Sequence, residues 1–144
     1  MNVHSGFTFR PGFVVRLIST VSGTALALII SSSALAADAP SEVKTAAVHA
    51  GLAAKADNVK GVQTHLHHAL NCLVGPDGDG FDSNELNPCG DMGKGAIPDT
   101  KDDMMKGQLK KAVAKVNSGL DTDDYDEAKS AAMSTQKMLE AQSM

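Results

Sequence analysis

Apolar side chains recur every three or four positions in four stretches of the chain, the period of a helix lying against a core. Over residues 42–56 the stripe is Val43, Ala46, Ala47, Ala50 and Ala54, small enough for a neighbouring helix to approach closely. Val48 and Leu52 lie off that stripe, so the pattern leaves two faces open for burial. Over residues 58–73 the stripe is Val59, Val62, Leu66, Ala69, Leu70 and Leu73, with Lys60, Gln63, Thr64 and Asn71 on the opposite side. Met105, Leu109, Ala112, Val113 and Val116 mark one face over 101–118, and Tyr125, Ala128, Ala132 and Leu139 another over 123–141. Short polar residues that cap helices stand at the starts: Ser41 after Pro40, Asn58 after Asp57, Thr100 before Asp102 and Asp103, and the run Asp121-Thr122-Asp123-Asp124. Gly119 suits a helix stop. One unbroken helix over 41–73 is the competing reading of the first half.

Regular structure is not expected over 74–99. That segment holds Gly75, Gly78, Gly80, Gly90, Gly93 and Gly95 with Pro76, Pro88 and Pro98, and loops of this length are usually functional or disordered. The prediction is therefore all-α: two helical hairpins packed as an up-down four-helix bundle, with one long Gly/Pro-rich loop between them.

The first 36 residues fall outside this pattern. Arg10 and Arg16 precede an apolar run from Leu17 to Ile30, and Ala34-Leu35-Ala36 supplies the small-x-small pattern of a cleavage site. The run is shorter than the ~20 residues of a bilayer span. We expect a signal peptide over 1–36, a single mature domain over 37–144, a periplasmic or secreted location, and no stable membrane insertion after cleavage. The formal net charge of the whole chain is −4. Without Arg10 and Arg16 the mature part carries 11 basic against 17 acidic residues, a net charge of −6. That balance argues against nucleic acid as a partner and mildly favours cations. An even pair of cysteines in an exported chain, Cys72 and Cys89, is most simply a disulfide that staples the loop.

Coordinating side chains gather in His65-Leu66-His67-His68-Ala69-Leu70-Asn71-Cys72. His65, His68 and Cys72 fall within about 60° of one another on a helix, while His67 points towards the polar side. Spacings of three and four residues are how one helix offers two ligands to one ion. Imidazole suits Cu, Ni and Zn. Cys72 can ligate only if it is not oxidised; otherwise His65 and His68 need His49, a methionine such as Met105, or a loop acid as the third donor. Asp77-Gly78-Asp79-Gly80-Phe81-Asp82 does not make a helix-loop-helix calcium site, because Phe81 occupies a ligand position and Pro88 stands where a glutamate is needed. Most of the mature methionines read as core filler. No triad or paired-carboxylate arrangement points to an enzyme.

The helical rhythm of residues 45–73, with Ala47-Val48-His49-Ala50 and Thr64-His65-Leu66-His67-His68, and more loosely of 111–139, resembles that of small exported helical metal-binding proteins of bacteria. The resemblance implies binding or buffering of a divalent transition metal (Cu, Ni or Zn). The alternative expectation is a disulfide-stabilised module whose loop over 76–98 docks a periplasmic protein partner.

Overall fold

Each of the four apolar stripes is a helix in the computed structural model of the protein, which describes residues 37–144. The expected signal peptide over 1–36 lies outside the described residues. The helices are α1 (Ala39–Lys55), α2 (Val59–Val74), α3 (Ala96–Asp99), α4 (Asp103–Leu120) and α5 (Tyr125–Glu140), and no strand occurs among the described residues. None of these helices is long and apolar enough to cross a membrane.

Short polar side chains set the starts. Asn58 accepts from the Gly61 amide at 2.9 Å, Asp102 from the Met104 amide at 2.8 Å, and Asp124 from the Glu127 amide at 2.9 Å. At α1 the cap is Asp38, not the expected Ser41, whose amide instead donates to Asp38. Proline in a first turn forfeits a donor that would be unsatisfied anyway, so Pro40 lets the helix begin upstream of itself. The break at residues 56–58 rules out one continuous helix over 41–73.

The core also decides which face of α1 is inward. Val43, Ala46, Ala47, Ala50 and Ala53 are buried, whereas Val48 and Leu52 stay 55% and 41% exposed. They meet Val62, Leu66, Ala69, Leu70 and Leu73 of α2, Leu109, Ala112 and Val116 of α4, and Ala128, Ala132 and Leu139 of α5. Helix α1 packs on α2 and α5, and α4 packs on α5 and α2. Gly119 does not end α4 but lies inside it, facing the core. A Cβ there would sit 2.6 Å from Leu66 Cδ1 and 3.0 Å from Ala131 Cβ, so the missing side chain is what lets the helices close up. The methionines divide: Met92, Met105 and Met138 pack against the core, but Met104 and Met133 are 78% and 57% exposed and fill nothing.

The segment expected to be loop over 74–99 begins one residue later and is interrupted by α3. Its two ends touch at Gly75 and Gly95, both at positive φ (70° and 112°). A Cβ on Gly75 would fall 1.5 Å from the Lys94 carbonyl oxygen, so no other residue permits this neck. A disulfide joins Cys72 to Cys89, with Cα atoms 5.1 Å apart. Beside it, Asn71 is fully buried, contrary to its expected place on the polar side of α2. Its Nδ2 donates to the carbonyls of Asp82 (2.9 Å), Glu85 (3.3 Å) and Leu86 (3.2 Å), and its Oδ1 accepts from the Asp82 amide at 2.9 Å. The loop folds over that side of the helix and turns a solvent position into an interior one.

On α1 the fully buried Glu42 grips the other end of the excursion: its Oε1 accepts from the Gly95 amide at 2.9 Å, and its Oε2 has no hydrogen-bond partner. Burial raises its pKa, and the nearby charges of Asp99 and Asp38 add to the effect against the Gly95 hydrogen bond.

Asn71→Ala removes an amide that satisfies four loop groups at once. With the disulfide intact, it should lower the unfolding free energy by about 2–4 kcal/mol, measured by urea titration.

Candidate metal centre

The reversal between α1 and α2 takes three residues, so positions equally far from its middle sit at the same height on the two helices. His49 lies eight residues before Asp57 and His65 eight after it. His68 follows one turn along the edge of α2 that His65 occupies. Small alanines at positions 46, 47, 50 and 53 keep the two backbones close enough for these rings to meet.

They do meet. Ring centroids are 5.9 Å apart for His49 and His65, 5.2 Å for His49 and His68, and 5.5 Å for His65 and His68. One donor nitrogen from each lies within 4.8 Å of the others, so His49, His65 and His68 form a triad that could hold a metal ion. Donors on a tetrahedral zinc ion sit about 3.4 Å apart, given bonds of about 2.0–2.1 Å. The Nδ1 atoms of all three rings are buried without a hydrogen-bond partner. Buried polar atoms are normally paired, so these three nitrogens are open to a further ligand; His67 Nδ1, outside the triad, is unpaired as well.

The electrostatics favour the form of histidine that ligates. Burial lowers the pKa of His49, and its neighbours His68 and His65 lower it further. Burial also lowers that of His68, as does His65, while Glu85 partly offsets the shift. Both shifts favour the neutral ring, whose lone pair can bind a metal.

Of the other candidates, Cys72 is excluded as a thiolate ligand, because its sulfur is committed to Cys89. The oxidised pair leaves His65 and His68 to recruit their third donor from α1. Met105 turns its sulfur to Thr100, whose Oγ1 donates to it at 3.4 Å between α3 and α4. His67 stands apart from the triad, with Nδ1 3.9 Å from Asp82 Oδ2. Glu85, one of the loop acids but not singled out by its sequence context, places Oε2 3.4 Å from His68 Nε2. The signal that could have found it is the ring closed by Cys72 and Cys89, which carries Glu85 back over the turn of α2 that follows His68. A groove of about 630 Å³, lined by Val74, Ile97, Lys110 and Val113 among others, includes none of the histidines.

A histidine whose pKa is lower in the folded than in the unfolded protein contributes stability that is present above the ordinary value of 6.5 and lost as pH falls below it. Acidifying the metal-free protein from about pH 7.5 to about 5.5 should therefore lower its urea midpoint, and by less in His49→Gln/His68→Gln. The raised pKa of Glu42 works in the opposite sense, stabilising towards acid, but it is common to both proteins and cancels in the comparison.

Comparison with protein families, with curated proteins and with solved structures finds no match to this chain.

Proposed function

We propose that the protein binds a divalent transition metal, Zn(II), Cu(II) or Ni(II), and acts as an exported binding or buffering protein, not as an enzyme. The observation that carries this reading is the convergence of His49, His65 and His68 from two helices, with donor nitrogens within 4.8 Å. Three imidazoles form a set suited to these ions, whereas thiolate or thioether sulfur would favour Cu(I). In this reading the four long helices make an up-down bundle of two hairpins, and the bundle gives the rings a rigid frame. The disulfide, together with the leader-like pattern over 1–36, supports an oxidising compartment such as the periplasm.

The test is a competition titration of the disulfide-intact protein against a chromophoric chelator with each of the three ions. One equivalent should bind, and His49→Ala/His65→Ala/His68→Ala should abolish binding while the far-ultraviolet circular dichroism stays helical. Unchanged affinity in that variant would refute the metal reading.

A further inference from the structure

A neutral imidazole carries a hydrogen on one ring nitrogen and a lone pair on the other, and the surroundings decide which is which. At His68 the two nitrogens meet different surroundings. Nε2 lies 3.4 Å from Glu85 Oε2, whereas Nδ1 is buried without a hydrogen-bond partner. The contact is longer than the roughly 2.7–3.2 Å of an N–H···O hydrogen bond, but within the roughly 4 Å reach of an ion pair. An ionised carboxylate accepts and cannot donate, so the nitrogen beside it is the one that keeps the hydrogen. We propose that Glu85 is a positioning residue of the metal centre: it holds the hydrogen of His68 on Nε2 and thereby presents Nδ1 to the ion, without itself entering the coordination shell. The proposal rests on the metal-binding reading above and deepens it.

The placement of Glu85 is held by more than its side chain. Its own carbonyl and those of Asp82 and Leu86 accept from Asn71, three residues beyond His68 on α2. Cys89 ties the same stretch to Cys72, four residues beyond His68. The segment from 82 to 89 is therefore fastened to the helical turn that follows His68, and its carboxylate is delivered to that ring by covalent and buried polar contacts. An ion on Nδ1 leaves Nε2 and its carboxylate undisturbed, since the two nitrogens point away from the ring in different directions. An acceptor behind a ligating imidazole fixes the tautomer and the ring orientation and makes the free nitrogen a better donor. Its negative charge also offsets part of the double charge that neutral imidazoles leave on a bound ion. The side chains of His68 and Glu85 are 11% and 31% exposed, so water screens this contact only in part.

Substitutions of the Glu85 side chain keep the backbone carbonyl that Asn71 uses, so the circular dichroism of the metal-free variants should match wild type. Zn(II) competition titrations would be run on disulfide-intact wild type, Glu85→Ala, Glu85→Gln and the triple histidine variant. Long-range proton–nitrogen correlation spectra of the imidazole rings would be recorded on the Zn(II)-loaded proteins. In wild type the nitrogen of His68 that carries the metal should be Nδ1, with the hydrogen on Nε2. Glu85→Ala should weaken Zn(II) binding by about tenfold or more. Glu85→Gln, whose amide oxygen still accepts from the ring N–H, should lose less and keep the metal on Nδ1. Zn(II) on Nε2 of His68 in wild type, with binding abolished in the triple variant, would overturn the role of Glu85 and leave the triad standing. Wild-type affinity in Glu85→Ala would do the same, as would a loss in Glu85→Gln no smaller than that in Glu85→Ala. No binding by wild type would overturn both readings together.

Discussion

Two consecutive residues at the end of α2, Asn71 and Cys72, hold the part of the molecule that has least structure of its own. The excursion between α2 and α3 is rich in glycine and offers little apolar surface to bury. Ordering its backbone costs about 1–2 kcal/mol per residue. The covalent tie to Cys89 limits the unfolded chain, a contribution of about 3 kcal/mol for a ring of this size in the chain-entropy account. The side chain of Asn71 then satisfies one amide and three carbonyls that would otherwise be half-buried and unpaired. Neither device suffices alone: the disulfide joins two points but leaves the path between them undetermined, and the amide specifies the path but adds no covalent limit.

The same economy explains the polar groups on α1. Glu42 is an acid in a helix otherwise lined with alanine, and it sits in the interior without a compensating cation among the described residues. Its one strong contact is the Gly95 amide at the neck of the excursion. The loop is thus fastened from α2 at one end and from α1 at the other, and those are the two helices that carry the histidines. Any disturbance that loosens the excursion acts on the elements that frame the triad, and tight docking of the excursion stiffens them.

The helices were legible because their signal is local. A period of 3.6 residues, short polar caps and proline or glycine punctuation are properties of neighbouring residues, and the stripes of α2, α4 and α5 are buried much as the pattern indicates. The spacing of His65 and His68 on one helical edge was legible for the same reason. Where the reading failed, the cause lay at long range. Asn71 looked solvated because a helical wheel records direction and not what lies in that direction. Gly119 looked like a terminator because glycine has two uses, and close approach to Leu66 and Ala131 can be recognised only once those helices are placed.

The triad divides along the same line. Residue order alone dictated that two imidazoles share an edge of α2, that the cysteines are even in number, and that the excursion needs fastening. Whether His49 would complete the set depended on which face of an ambiguous α1 turns inward, and that was decided by the fit of its alanines against α2 and α5. Whether Cys72 was sulfur for a metal or for a bond depended on where Cys89 came to rest. Whether Glu85 would stand beside His68 depended on the fold of a segment without periodicity. Local stereochemistry sets the direction of a side chain from its own backbone; the neighbour it finds there is set by packing between segments far apart in the chain, and no short-range pattern encodes that.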